Sequence, residues 1–150
     1  MPQQILKYLY APTGVSSLIP VDLWRAVRKN QRILEPRVER RKIIINGRVI
    51  GETPIDIETY DVQTGLETVK FVNCHSGGLS TFDRKVALSG EFWIIPEKTP
   101  LPDGLVVTKD NYNQRFDATH YSIKAKSDMP LVEFKRLLDI LAEHAKLAND

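Results

Sequence analysis

The amino-acid sequence predicts one α+β domain that is dominated by strands and ends in a helix. Three observations carry this prediction. β-Branched residues flank an Asn-Gly pair, short apolar runs recur between turn residues, and the last stretch has helical spacing. A chain of 150 residues is long enough to bury one compact core. We therefore interpret residues 1–150 as a single domain, with residues 1–20 as an N-terminal arm.

The first predicted elements are an ambiguous apolar segment and a hairpin. Val21–Val27 has apolar residues at helical spacing, but they also alternate as in a strand, so periodicity alone leaves both structures open. The charged stretch 35–42 is predicted to be a loop or an exposed helix. Over 43–51, Asn46-Gly47 suits the positive φ angles of a type I′ turn between two β-branched strands.

The second half of the chain contains the remaining strands and the helix. Turn residues separate the predicted strands, which lie at 67–73, 91–95, 105–107 and 119–124. The strand at 119–124 is expected to end the sheet. From Pro130 to Ala148, apolar residues recur at helical spacing and predict an amphipathic C-terminal helix that packs on the sheet.

Composition excludes several classes of protein. The net charge of +2 is too small to imply nucleic-acid binding. A single cysteine cannot form an internal disulfide. No apolar run approaches the roughly 20 residues that span a bilayer, so no membrane association is expected. The N-terminus lacks the basic lead-in and long apolar segment of a cleavable signal peptide.

The segment SGGLSTFD combines two glycines with two hydroxyl side chains. Gly77 and Gly78 allow the backbone to approach a ligand closely, and Ser80 and Thr81 supply short hydroxyls. A strand-entry turn explains the same residues without a ligand. Neither a phosphate-binding P-loop nor a dinucleotide fingerprint is present, because the required glycine and lysine spacing is missing.

Two further residues stand out by their surroundings. Arg25 is flanked by apolar residues, and its planar guanidinium suits a phosphate or carboxylate, with a structural salt bridge as the alternative. His120, at the start of a strand, suits ligand binding or proton transfer, or a structural role. Cys74, His75 and His120 lack paired metal-ligand spacing, so we predict no metal site. Cys74 and His75 point to opposite faces if extended, so we predict no catalytic pair.

Four segments occur in a distinctive order: LWRAV, GGLSTFD, EFWIIPEKTPLPDGLVVTKDNYNQRF and ATHYSIKAKSDM. This order resembles an ADP-ribosyltransferase-like bacterial toxin family, typified by the second exported effector of a type VI secretion system. That family has a similar arginine-bearing strand, a Gly-Gly-Thr-Ser-x-Phe-Asp segment, a Leu-Pro-x-Gly-Leu loop and an Ala-Thr-His-Tyr strand. The resemblance is dense from about Gly77 to Met129 and thinner around Arg25.

The resemblance implies the split two-sheet NAD-binding fold of ADP-ribosyltransferases, and therefore a strand at VDLWRAV. It also implies a toxin that acts in the cytoplasm of a target cell after delivery by a secretion system. NAD would be the co-substrate. An immunity or antitoxin protein and an unidentified intracellular target would be the partners.

The resemblance also implies a site. Ser80 and His120 are implied as catalytic residues at the nicotinamide ribose. The implied cofactor-binding residues are Arg25, Gly77, Gly78, Ser80, Thr81 and Tyr121.

This sequence departs from the family at two points. Leu79 stands where the family has a threonine. No Glu-x-Glu or Gln-x-Glu pattern accompanies His120, and the nearest candidates are Gln114 and Asp117.

The enzyme implied is an NAD-dependent ADP-ribosyltransferase or an NAD glycohydrolase. One alternative is a non-catalytic toxin that binds a nucleotide or a partner through the same fold. The other is a nucleic-acid-directed member of the fold that uses the basic cluster Arg37, Arg40, Arg41 and Lys42.

Overall fold

The computed structural model describes residues 4–5, 18–86 and 90–148. Within these ranges the chain forms twelve strands and one helix, which confirms a strand-dominated α+β fold. The strands are β1 (Gln4–Ile5), β2 (Leu23–Ala26), β3 (Lys42–Ile45), β4 (Arg48–Glu52), β5 (Thr59–Thr64), β6 (Glu67–Val72), β7 (Leu79–Phe82), β8 (Phe92–Ile95), β9 (Leu105–Asn113), β10 (Ala118–Ala125), β11 (Met129–Pro130) and β12 (Lys146–Leu147), and the helix is α1 (Leu131–Ala142).

The largest sheet has seven antiparallel strands in the order β1-β9-β10-β7-β2-β8-β12. Two predicted segments lie side by side at its centre, because β7 carries SGGLSTFD and β10 carries ATHYSI. The ambiguous segment VDLWRAV forms β2, as the family resemblance implied. β2 pairs with β7 only at Trp24 and Phe82, while it pairs with β8 along its whole length.

The second sheet and the helix complete the core. β11, β6 and β5 form a three-stranded antiparallel sheet, and α1 lies against β6 and β11. The apolar stripe of α1 is buried, as its spacing predicts. The buried helix residues are Phe134, Leu137, Leu138 and Leu141. They meet the inner face of the large sheet, where Leu79, Ile95 and Ile123 are fully buried.

The predicted hairpin forms a separate two-stranded sheet of β3 and β4. Asn46 and Gly47 have φ angles of 51° and 75°, which confirms a turn with two left-handed residues. Its apolar side chains are largely exposed, with Ile44 and Val49 at 61% and 57%. The hairpin therefore contributes little to the core.

Three predictions about the elements were wrong. β9 continues past Val107 to Asn113, because β10 pairs with it along that whole length. The helix ends at Ala142 rather than Ala148, and β10 does not end the sheet. Lys146 and Leu147 instead pair with β8, so the backbone groups at the edge of β8 gain hydrogen-bond partners that a continued helix would not give them.

Two other segments differ from expectation in smaller ways. β5 was not predicted, because Thr59–Thr64 is polar and mostly exposed, so its apolar pattern is weak. Most of the N-terminal arm lies outside the described residues. Of that arm, Gln4 and Ile5 pair with β9, and Leu18 bridges to Pro100.

Candidate active site

Three neighbouring strands bring polar side chains onto one face of the large sheet. In the register of β7 and β10, Ser80 lies opposite Ser122 and Phe82 lies opposite His120. Residues that pair across antiparallel strands share a face, as do residues two apart in one strand. On the other side of β10, Thr108 of β9 lies opposite Ser122. The sheet therefore gathers hydroxyl groups around one histidine.

Ser80, His120 and Asp110 form a hydrogen-bonded chain. The Ser80 Oγ lies 2.6 Å from His120 Nε2, and His120 Nδ1 lies 2.7 Å from Asp110 Oδ2. The Phe82 ring and the imidazole pack edge-to-face, with centroids 5.1 Å apart. The histidine thus lies between a serine hydroxyl and a carboxylate, the order found in Ser-His-Asp triads.

A β-bulge places Asp110 in this chain. His120 pairs with Asn111 and Tyr121 pairs with Lys109, so Asp110 is left as the extra residue in β9. Ser122 and Thr108 donate hydrogen bonds to its carboxylate. Burial alone would raise the pKa of Asp110, but the hydrogen bonds from His120, Ser122 and Thr108 outweigh burial and lower that pKa. Asp110 is therefore an ionised acceptor at neutral pH.

A second buried carboxylate, Asp56, holds Arg25. The guanidinium NH2 of Arg25 donates to Asp56 Oδ2 at 2.9 Å, and its NH1 donates to Oδ1 at 3.3 Å. The same two nitrogens donate to the backbone carbonyls of Ser80 and Glu35, both at 2.9 Å. The Asp56 side chain is 0% exposed, so this is an ion pair inside the protein.

Asp56 also binds the backbone around Ser80 and Arg37. It accepts hydrogen bonds from the Arg37 N–H at 2.7 Å and from the Ser80 N–H at 3.3 Å. Burial alone would raise the pKa of Asp56, but the charge and hydrogen bonds of Arg25, together with the Arg37 N–H, lower it. Because β2 leaves β7 after Trp24, Arg25 and Asp56 supply Ser80 with the partners that a neighbouring strand would otherwise give.

A cleft of about 140 Å³ opens beside Ser80. One wall is aromatic, and Trp24 and Phe92 meet edge-to-face there with ring centroids 6.1 Å apart. Arg28 and Arg37 also line this cleft. These two arginines also line an adjoining cleft of about 570 Å³, together with Arg41 and Lys135.

Arg28 and Arg37 are only partly neutralised. Partial burial, followed by repulsion from Arg37 and Arg25, lowers the pKa of the Arg28 guanidinium below its usual range. The Arg37 NH2 approaches Asp56 Oδ1 at only 3.5 Å, and its buried Nε has no hydrogen-bond partner among the described residues. Arg25 and Arg37 thus form ion pairs with one buried carboxylate, and Arg28 adds a third positive charge nearby, which makes this cleft suited to an anion.

The structure gives Gly77 and Gly78 close contacts with the protein itself. A Cβ on Gly77, whose φ is 153°, would lie 2.3 Å from the Asp56 carbonyl oxygen. A Cβ on Gly78 would lie 2.5 Å from the Ile123 carbonyl oxygen. Both glycines are therefore required by the close packing of the segment before β7 against Asp56 and β10, whatever ligand contact they make.

Thr81 and Tyr121 lie on the face opposite Ser80. Thr81 is 0% exposed and donates to the Tyr121 carbonyl at 3.0 Å, and the Tyr121 ring belongs to the core. The structure thus brings Ser80, His120 and Arg25 together and directs Thr81 and Tyr121 into the core. Gln114 and Asp117 lie in the β9–β10 turn, where Asp117 contacts Tyr112 and Arg84.

Sequence reasoning missed Asp110 and Asp56. Asp110 fell outside the predicted short strand, although Thr108 and Asp110 alternate in register with His120 and Ser122 of the next strand. Asp56 is flanked by two isoleucines, the same signal that singled out Arg25. In both cases the sequence shows the residue, but it does not show which distant segment the residue binds.

Other predicted features take ordinary positions. His75 is exposed, and Cys74 donates its backbone N–H to Asp128. The described residues contain no group of three or more His, Cys, Asp or Glu side chains arranged to hold a metal ion. Over the same ranges, no helix has the length and apolar character needed to cross a bilayer.

Comparison with known proteins matches most of this chain to one family. Residues 12–148 match the family described as Tse2 ADP-ribosyltransferase toxin. The chain is also similar to Toxin Tse2 of Pseudomonas aeruginosa, with 44% identity over 57 residues. That alignment covers 36% of this chain and 35% of the relative's length. The resemblance read from the four segments is confirmed, and this protein belongs to the Tse2 ADP-ribosyltransferase toxin family.

Proposed function

We propose that this toxin binds NAD in the cleft beside Ser80 and uses it to arrest growth, either by transferring ADP-ribose to a cellular target or by hydrolysing NAD. The observation that carries the proposal is the meeting of Ser80 and His120, 2.6 Å apart, with a cleft lined by aromatic rings and guanidinium groups. Family membership supports the same chemistry. The proposal includes a split two-sheet NAD-binding architecture within one domain.

The aromatic and the basic residues that line the cleft match the two ends of the dinucleotide. Trp24, Phe82 and Phe92 offer apolar ring surface to the nicotinamide. Arg28 and Arg37 offer hydrogen-bond donors to the pyrophosphate. Because the two arginines are only partly neutralised, they favour binding of its two negative charges. The adjoining cleft of about 570 Å³ is within the range of roughly 300–1,000 Å³ that small-molecule sites occupy.

In this proposal Arg25 acts mainly through Ser80. Its NH1 and NH2 groups already face Asp56 and two backbone carbonyls, so they hold β7 in place. Direct contact of Arg25 with a phosphate or ribose stays a prediction, as do the ligand contacts of Gly77, Gly78, Thr81 and Tyr121. In this proposal Ser80 and His120, whose side chains lie 2.6 Å apart, act at the nicotinamide ribose, where charge develops as the glycosidic bond breaks.

The partners and place of action belong to the same proposal. We expect an immunity or antitoxin protein that neutralises the toxin, and an intracellular target in the cell that receives it. The protein would act in the cytoplasm of that cell after delivery by a secretion system. Membership of a toxin family supports these expectations.

The test is nicotinamide release from NAD by the purified protein, with growth arrest measured in parallel. Arg28→Ala/Arg37→Ala should raise the KM for NAD about tenfold or more, since each charge-assisted hydrogen bond contributes about 1.5–3 kcal/mol. Ser80→Ala and His120→Ala should lower kcat and relieve growth arrest at equal protein level. Arg48→Ala, which removes an exposed arginine from the β3–β4 hairpin, is the matched control and should change neither quantity.

The outcomes separate the competing activities. An ADP-ribose adduct on another molecule supports transfer, and free ADP-ribose alone supports hydrolysis. NAD binding without nicotinamide release would favour a toxin that acts by binding. Growth arrest that survives both Ser80→Ala and His120→Ala would contradict the assignment of this site.

A further inference from the structure

We propose that Asp110, His120 and Ser80 form a proton relay that makes Ser80 a nucleophile, and that Ser80 takes ADP-ribose covalently from NAD. The relay follows from the structure alone. The identity of the electrophile rests on the proposed function. Nothing in family membership requires a covalent serine, and the absence of a Glu-x-Glu pattern beside His120 leaves room for a different mechanism.

The first step is the tautomer of His120. Asp110 is ionised and can only accept hydrogen bonds, so the proton it shares with His120 resides on Nδ1. In the neutral ring, Nε2 then carries a lone pair and accepts the hydrogen bond from Ser80 Oγ. The Ser80 proton is therefore directed at a base, and the oxygen lone pairs stay available.

The second step is the fixation of Asp110. Thr108 donates to Oδ1 at 2.7 Å, while Ser122 and His120 share Oδ2. The side chain is 8% exposed, so water does not compete strongly for these positions. A carboxylate held by three donors keeps the imidazole in one orientation and stabilises the imidazolium that forms when Ser80 loses its proton.

The third step is the access of Ser80 to an electrophile. Ser80 lines the cleft that also contains Arg28 and Arg37, so a pyrophosphate bound there brings a dinucleotide to the hydroxyl. Ser80 Oγ forms a bond to C1′ of the ribose, and the bond from C1′ to nicotinamide breaks, with the electron pair leaving on nicotinamide. The Ser80 proton passes to His120 Nε2. Attack on C1′ by water or an acceptor hydroxyl then breaks the bond to Ser80 Oγ, which regains a proton from His120, while the attacking group loses its own proton to solvent.

The test of the relay uses a fluorophosphonate probe, so that it is independent of NAD. The probe forms an Oγ–phosphorus bond with a nucleophilic serine and releases fluoride. Ser80 of the folded chain should be labelled, and His120→Ala should abolish labelling. Asp110→Asn should slow labelling by about a hundredfold or more, because an asparagine that donates to Nδ1 moves the proton to Nε2, where it blocks acceptance from Ser80.

Two measurements separate a positioning role of Asp110 from a merely structural one. In wild-type protein, proton NMR should show a low-field Nδ1–H of His120 that disappears in Asp110→Asn. The pH profile of labelling should change shape in that variant. Asp61→Asn, at a carboxylate of β5 that is 64% exposed and pairs with Lys70, is the matched control and should label like the wild type.

The last arm tests the electrophile. Wild-type protein incubated with NAD and quenched in acid should carry ADP-ribose on the peptide that contains Ser80, and Asp110→Asn should carry less. Failure of the probe to label Ser80, or wild-type labelling rates in a folded Asp110→Asn, would overturn the relay even if NAD is consumed. Labelling of Ser80 without any ADP-ribose adduct would support the relay and overturn the covalent step with NAD.

Discussion

Asp56 is the residue on which the geometry of the site depends most. Its carboxylate has no exposed surface, and it binds the guanidinium of Arg25 and the backbone N–H groups of Arg37 and Ser80. These three partners come from segments that are far apart in the sequence. One buried charge therefore fixes the arginine strand, the loop before the hairpin and the start of β7 relative to each other.

We predict that Asp56→Asn destabilises the protein by about 3–5 kcal/mol, because it leaves the buried Arg25 charge without a counterion. The measurement is urea unfolding, with the m-value checked for a change in the transition. The matched control is Asp61→Asn, which removes an ion pair with Lys70 whose side chains are 64% and 51% exposed. Exposed pairs of this kind contribute about 0–1 kcal/mol, so the control should unfold close to the wild type.

A double-mutant comparison tests whether the loss comes from the unpaired charge. Arg25→Met/Asp56→Leu removes both charges, and it should be less destabilised than the sum of the single variants, since buried pairs cost desolvation free energy. Additive losses would contradict the view that Asp56 acts mainly by neutralising Arg25.

At the scale of elements, β7 depends on glycines that let it lie against its neighbours. We predict that Gly78→Ala destabilises the protein by about 1–3 kcal/mol, because the added Cβ would lie 2.5 Å from the Ile123 carbonyl oxygen of β10. Gly51→Ala is the matched control, since a Cβ there has no neighbour within 4 Å. Thermal unfolding of both variants checks the prediction. Equal melting temperatures would show that β7 can shift without loss.

The sequence predicted elements whose signal is local and missed features that depend on a partner strand. Asn46-Gly47 and the β-branched residues around it were sufficient to predict the hairpin, and the apolar spacing of α1 predicted its buried face. The true length of β9 depends on pairing with β10, which no local pattern reports. Asp110 was missed for the same reason, because its bulge exists only in the paired strands.

The candidate site, like the fold, was predicted only in part, because some of its contacts depend on residues that are distant in the sequence. The family resemblance singled out Ser80 and His120, and the structure brings their side chains into contact. The same resemblance implied that Arg25 binds NAD, whereas in the structure its guanidinium forms an ion pair with Asp56. An arginine between apolar residues signals a buried anion, but the sequence does not say whether that anion is a substrate phosphate or a protein carboxylate. Only the position of Asp56 in space distinguishes the two.

At the scale of the whole molecule, carboxylates join segments that are distant in the chain. Asp56 and Asp110 connect the strands around the cleft. Asp128 does the same at the second sheet, where it accepts hydrogen bonds from the Tyr60 hydroxyl at 2.5 Å and from the Cys74 N–H at 2.8 Å. The hydrogen bond from Tyr60, followed by that from Cys74, lowers the pKa of Asp128 to about 2. All three carboxylates have a lower pKa in the folded chain than an ordinary aspartate.

The lowered pKa values of these three carboxylates predict how the stability of the fold depends on pH. An unfolded aspartate has a pKa of about 3.9, so in acid the unfolded chain binds protons before the folded chain does. The stabilisation from these carboxylates is complete above about pH 5 and is lost as the pH falls through the folded-state values. The contribution of these carboxylates to the free energy of unfolding in urea should therefore be constant from pH 7 to about pH 5 and fall below it. Asp128→Asn should be less stable than the wild type at pH 7, and the two curves should converge near pH 2, where Asp128 becomes protonated. Parallel curves down to pH 2 would contradict a stabilising charge at Asp128.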